Sequence, residues 1–202
     1  MPTKNLSLIV KRLFDIILSS AGLIFFLPIW PIVTILIYFL EDGRPIYFSD
    51  IRIGINRKPY AHFKFRSMIK NAEVSTGPMW SLENDKRVTK FGRILRATAM
   101  DELPQLINIL KGDMSFVGPR SERQFFVEKF SREIPGYEKR FTIRPGLTGM
   151  AQVYGRYDSP PEKKLSLDLE YIKRMNFFLD LKLIFLSFLI TFEAGWERFE
   201  NK

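Results

Sequence analysis

Residues 16–40, IILSSAGLIFFLPIWPIVTILIYFL, run for 25 residues without a charge, and their reading decides the architecture of the chain. As one continuous helix the run would be about 37 Å long at about 1.5 Å per residue, against a hydrocarbon core of about 30 Å. A cleaved signal peptide is a poor reading, because the apolar run is too long and no small-residue cleavage site follows it. Pro28 and Pro31 interrupt it near the middle. Each lacks a backbone N–H and disfavours helical geometry in the residue before it. Two readings follow. One is a kinked spanning helix whose freed carbonyls are re-satisfied by neighbours. The other is a re-entrant helix–break–helix that dips into a membrane and returns to the same face. Lys4, Lys11 and Arg12 precede the run, and Arg44, Arg52, Arg57, Lys58, Lys64 and Arg66 follow it. Basic residues on both flanks suit two cytoplasmic ends, and so favour the second reading.

Working outward, residues 45–66 alternate apolar and polar side chains. Ile46, Phe48, Ile51 and Ile53 precede a turn near Gly54–Asn56, and Tyr60, Phe63 and Phe65 follow it. The pattern predicts a β-hairpin. A short helix is expected over 67–75, then a loop over 75–85. Amphipathic helices are expected over 88–99, over 102–111 with Gly112 as C-cap, and over 122–130. Residues 142–156 are rich in Gly and Pro and read as loop. A long helix is expected over 158–178. The apolar stretch 183–192 is too short to cross a bilayer, and reads as a core helix or one lying in the membrane interface. The expected fold class is therefore α+β and helix-dominated: a membrane anchor at 1–40, a catalytic domain at 41–202 containing a small hairpin and amphipathic interfacial helices, and one folding unit overall.

The 202 residues carry a formal charge of +9, of which +2 belongs to residues 1–40. A basic surface of this size attracts nucleic acid, anionic lipid or phosphorylated substrates. With no cysteine and His62 as the single histidine, disulfide scaffolds, thiolate metal sites and His-based triads are excluded. Chemistry falls to carboxylates, arginines, lysines, hydroxyls and backbone. His62 itself reads as a surface residue.

Four clusters carry that chemistry: KFRSM (64–68), DELPQL (101–106), GDMSFVGPR (112–120) and RPGLTGMAQVYGR (144–156). Asp101 precedes a predicted helix, with Glu102 in its first turn. The same geometry serves a plain N-cap or a carboxylate kept ionised beside free backbone amides, able to act as a nucleophile toward phosphorus. Arg120 follows Gly-Pro and Arg144 precedes Pro-Gly, so each sits on a tight turn, where an arginine fork can clamp phosphate. Arg96 and Arg156 accompany acidic or turn-forming partners. Lys64, between Phe63 and Phe65 on a predicted strand, turns its amine from the aromatic side and can steer an anion.

At these residues the sequence resembles the bacterial sugar transferase family, the monotopic phosphoglycosyl transferases. The resemblance runs from Lys11-Arg12-Leu-Phe-Asp15 through the helix containing Tyr171. It rests on KFRSM, DELPQLINILKGDMSFVGPR and RPGLTGMAQVYGR in that order and spacing. It implies a re-entrant helix broken at Pro28 or Pro31. In the family the break is often Ser-Pro, whereas here Leu27 and Trp30 precede the prolines. It implies Asp101 and Glu102 as the catalytic pair, with Asp101 attacking the β-phosphorus of a UDP-sugar and releasing UMP. The phosphosugar then passes to polyprenyl phosphate. It implies Mg2+ held by Asp101 and Glu102, and phosphate or nucleotide contacts from Lys64, Arg96, Arg120, Arg144 and Arg156. Many members continue Pro-Arg-Pro, where this chain has Pro119-Arg120-Ser121. Expected partners are the UDP-sugar, the polyprenyl phosphate and membrane lipid, with a homodimer allowed and no nucleic acid. The expected location is the cytoplasmic face of the bacterial inner membrane, and the expected form is the minimal catalytic one. The alternatives are a membrane-tethered basic binding module, a glycan-assembly scaffold, and a glycosyltransferase that releases UDP.

Overall fold

The computed structural model describes residues 2–74, 77–80, 85–155 and 159–200. Its elements follow from the sequence largely through where prolines, glycines and caps stop each helix. Helix α1 (Pro2–Phe26) ends at Leu27-Pro28, and α2 (Ile29–Leu40) begins directly after. Leu27 N turns to the carbonyl of Ile24 (3.3 Å), and the two axes diverge by 61°. Pro28 makes this break. Pro31 lies within the first turn of α2, where a backbone N–H would lack a helical partner in any case. No single described helix is long and apolar enough to cross a membrane, while the bent pair passes that test together.

Strands β1 (Tyr47–Ile53) and β2 (Pro59–Phe65) form the predicted hairpin, with Tyr47 opposite Phe65 and Ile53 opposite Pro59. Helix α3 (Lys90–Ala97) is capped by Thr89, whose Oγ1 accepts from Gly92 N at 3.0 Å. Helix α4 (Gln105–Lys111) closes at Gly112, which takes the left-handed conformation (φ 93°) predicted for it. Then come β3 (Ser115–Val117), β4 (Glu122–Arg123), α5 (Gln124–Glu133), β5 (Gly146–Thr148), α6 (Met150–Tyr154), α7 (Pro161–Arg174) and α8 (Phe177–Glu200).

Four expectations are corrected. The helix over 67–75 is absent: Met68 bridges Val88, and Ile69 N donates to the Arg87 carbonyl, so the segment pairs across the chain. Residues 122–123 are strand, recruited by the open edge of β1, and α5 starts only at Gln124. The Gly- and Pro-rich stretch 142–156 holds β5, paired in parallel with β3, and α6. The long helix over 158–178 is two helices: α7 ends at Arg174, and Asn176 starts α8 by accepting from Leu179 N (3.0 Å) through its side chain. Of the loop predicted over 75–85, residues 77–80 and 85 are described and none is helix or strand.

The apolar core is continuous with the bent pair. Phe65 packs with Val33 and Ile37 of α2 and with Leu95 of α3. Tyr60 packs with Leu106 and Ile109 of α4, against Leu23 and Phe26 of α1. Polar ties then lock α1 in place. Asp15, fully buried, accepts from Ser115 Oγ and Phe116 N, both at 3.0 Å. Lys11 donates to Asp180 of α8 at 2.7 Å, and the Tyr171 hydroxyl donates to the other oxygen of the same carboxylate at 2.6 Å. Arg12 donates to the carbonyls of Ile109 and Leu110 at the end of α4, which satisfies groups no helix can satisfy internally. Leu183 buries one side of α8, while Phe178, Phe185, Phe188 and Phe192 form an exposed apolar stripe on the same helix.

Candidate active site

Asp101 and Glu102 do not cap a helix. They lie in a single 3-10 turn, Met100–Glu102, that reverses the chain between α3 and α4 and is entered through Ala99 at φ 54°. This corrects the N-cap reading, and the correction matters electrostatically. Asp101 is 5% exposed, so burial, with the neighbouring Glu102 charge, raises its pKa above the ordinary 3.8 against the pull of Lys64, Arg96 and Arg120. Glu102 behaves oppositely. Burial would raise it, but Lys64 and Arg120 win and hold it at about 2.

Each cation arrives from a different element. Lys64 on β2 places Nζ 2.6 Å from Glu102 Oε1. Arg96 ends α3 and donates from Nε to Ser67 Oγ at 2.9 Å. Arg120, half-exposed, brings Nη2 to 3.9 Å from Glu102 Oε1. The Asp101 carboxylate, by contrast, is engaged by no hydrogen bond or ion pair among the described residues. Three fixed cations around two carboxylates leave a net positive, turn-framed cleft suited to a phosphorylated ligand.

The turn bearing Arg120 is rigid for a legible reason. Gly118 N donates to Thr148 O and Gly146 N to Pro119 O, both at 2.9 Å. A Cβ on Gly118 would lie 2.4 Å from the Arg144 carbonyl oxygen, so only glycine allows the two loops to meet. Arg144 itself goes elsewhere. Its Nε donates to the Gly112 carbonyl (2.8 Å) at the C-terminal end of α4, the end remote from Asp101, where a cation also complements the helix dipole. Arg156 lies outside the described residues. The structure thus gathers Asp101, Glu102, Lys64, Arg96 and Arg120, and separates Arg144 from them.

His62 is a correction. It is buried, its Nδ1 lies 3.3 Å from Asp50 Oδ1, and burial with Arg52 and Lys64 nearby pushes it down to about 4. It is therefore neutral at pH 7. Sequence reasoning also missed Asn108, fully buried, which donates to Ala61 O (2.7 Å) and accepts from Phe63 N (3.1 Å). That clamp fixes β2, and hence Lys64, against α4. A buried Asn on an otherwise apolar helix face was the available signal.

Among the described residues no group of three or more His, Asp or Glu side chains could hold a metal ion. Two adjacent carboxylates still fit Mg2+, which is commonly bound through one or two carboxylates plus substrate phosphate and water.

The model of the bacterial sugar transferase family matches residues 6–194. The chain belongs to that family. Among the chain's relatives is a UDP-N-acetylgalactosamine-undecaprenyl-phosphate N-acetylgalactosaminephosphotransferase of Aeromonas hydrophila, 38% identical over 87% of this chain and 42% of the relative. A UDP-glucose:undecaprenyl-phosphate glucose-1-phosphate transferase of Klebsiella pneumoniae is 40% identical over 92% of the chain and 41% of its own length. The exopolysaccharide production protein PSS of Rhizobium leguminosarum bv. phaseoli is 36% identical over 89% of the chain and 94% of its length. The chain thus spans about two fifths of the first two relatives and nearly all of the third.

Proposed function

We propose that this chain moves a sugar 1-phosphate from a UDP-sugar to undecaprenyl phosphate, releasing UMP, as a first membrane step of exopolysaccharide, capsule, O-antigen or glycoprotein glycan assembly. The observation that carries the reading is the Asp101–Glu102 turn enclosed by Lys64, Arg96 and Arg120. Relatives named for this transfer support it.

In the first half-reaction a carboxylate oxygen of Asp101 attacks the β-phosphorus, and the bond from that phosphorus to the bridging oxygen breaks. UMP leaves with the bridging oxygen. In the second, a phosphate oxygen of the acceptor attacks the same phosphorus and the bond to Asp101 breaks, restoring the carboxylate. Arg120 and Lys64 balance charge on the phosphate oxygens, and Glu102, kept ionised by Lys64, positions the acceptor or the metal ion. Magnesium, held by Asp101 and Glu102, would supply neutralisation of the pyrophosphate charge.

The bent α1–α2 pair is read as a re-entrant anchor on the cytoplasmic face of the inner membrane, with the phenylalanine stripe of α8 lying in the interface. The test is turnover in detergent with undecaprenyl phosphate, magnesium and a panel of UDP-sugars, quantifying UMP and UDP separately. Lipid-dependent UMP release supports the reading. UDP release would make the protein a glycosyltransferase. Salt-sensitive nucleic-acid binding without turnover would make it a binding module.

A further inference from the structure

Arg140 lies outside the cleft and is itself buried, in the 3-10 turn Tyr137–Thr142. Its guanidinium has four engagements. Nη2 lies 2.8 Å from Asp168 Oδ2 of α7, Nη1 donates to the Tyr137 hydroxyl, and the group stacks 4.9 Å from the centre of the Tyr137 ring. Nη2 also donates to the backbone carbonyl of Arg120 at 2.8 Å. The same turn is held on its other side by the 145–148 segment, where Pro119 O accepts from Gly146 N and Arg120 bridges Gly146. Beside these groups lies a cavity of only about 10 Å3, lined in part by Pro119, Arg120, Arg140 and Pro145. It has room for about one water, so the Arg120 turn has little space to re-settle.

Burying a guanidinium and a carboxylate together is costly, and a well-packed apolar pair would stabilise the fold at least as well. The placement is better explained by what the cation holds. We propose that Arg140 is a positioning residue that fixes the backbone of Arg120, and with it the angle at which the Arg120 fork meets the donor's pyrophosphate, with Asp168 and Tyr137 holding Arg140 in turn. This rests on the proposed reading of the site, in which Arg120 contacts phosphate.

The experiment is a double-mutant cycle on the full chain in detergent, read by calorimetric binding of UDP. The four proteins are the wild type, Arg140→Met, Arg120→Ala and the double variant, with thermal unfolding recorded for each. Acting through Arg120, the loss of Arg140 weakens UDP about 10-fold in the wild-type background and less than about 3-fold once Arg120 is alanine, since a hydrogen bond from a charged donor is worth about that much. Arg140→Lys, which keeps the cation, recovers part of the affinity and serves as the folded substitute if Arg140→Met fails to fold. Equal losses in both backgrounds, no loss in either, or a wild type that does not bind UDP would overturn the proposal. UMP release is assayed separately. A wild type that binds UDP with the expected coupling but never releases UMP would sink the transferase reading and leave the positioning role standing.

Discussion

Lys64 Nζ and Glu102 Oε1 lie 2.6 Å apart, joined across 38 residues of chain by the packing of β2 against the turn that precedes α4. This contact divides the acidic pair. Glu102 is ionised and held, while Asp101 keeps its raised pKa and has no hydrogen bond or ion pair to its carboxylate among the described residues. Replacing Lys64 with methionine removes the main attraction that overcomes burial at Glu102. Its pKa then rises from about 2 toward or above the ordinary 4.5, which carboxylate-resolved NMR titration would detect. A cost of about 1–3 kcal/mol in stability is expected, since a largely buried carboxylate loses its charged donor.

The pKa of Asp101 sets two further outcomes. As nucleophile it must be unprotonated, so the acid limb of the rate profile lies above pH 3.8. The stability effect has the opposite sense. A carboxyl whose pKa is raised on folding binds more protons folded than unfolded, so stability falls as pH rises from 3.8 through the folded value. Asp101→Asn is therefore inactive, yet at neutral pH it melts at or above the wild-type temperature. A variant both inactive and strongly destabilised would mean that Asp101 is structural.

The break at Pro28 can be tested by topology. The chain has no cysteine, so single cysteines at Lys4 and Lys58 report cleanly on membrane sides. Both are labelled only from the cytoplasmic face if α1 and α2 are re-entrant. Pro28→Ala, which restores a helical donor, shifts part of the population to opposite-face labelling, and Pro31→Ala does not. Opposite-face labelling of the unaltered sequence would contradict the re-entrant reading.

Helices α1 and α8 share one electrostatic knot. Lys11 of α1 sits against Asp180 of α8, whose other oxygen accepts from Tyr171. Lys11→Met leaves a buried carboxylate short of its cation and costs about 3 kcal/mol, while adding Asp180→Asn to it restores part of that loss. Unfolding midpoints of the two variants in the same detergent decide this.

Where local rules dominate, the sequence was enough. Pro28 stops α1, Gly112 ends α4, and alternation from Ile46 to Phe65 forms the hairpin. Apart from the local cap at Asn176 and the 3-10 turn at Asp101, the failures involve partners far along the chain. Ser67–Val74 has helix-compatible residues, but Ile69 and Thr89 bond across to Arg87 and Ser67 instead. Glu122 and Arg123 become strand only because β1 offers an edge. At the site, the residue types of Asp101, Glu102, Lys64, Arg96 and Arg120 were legible through motif and resemblance. Their roles came from the resemblance alone, and their electrostatics needed the fold. His62 reads as a surface residue, with no local sign that the fold buries it beside Asp50. Arg144 reads as a phosphate clamp because its turn is tight, and nothing local shows that its Nε donates to the carbonyl of Gly112. Neither partner can be named until the fold brings it there.

The central claim is that Asp101 becomes covalently attached to the sugar phosphate. The most direct measurement is intact-protein and peptide mass spectrometry after incubation with magnesium and an accepted UDP-sugar, without the lipid acceptor. The account predicts one phosphosugar per chain on the peptide containing Asp101, formed as UMP appears, lost in Asp101→Asn and discharged when undecaprenyl phosphate is added. UMP formation at full rate in Asp101→Asn, or turnover with the adduct on another residue, would contradict it.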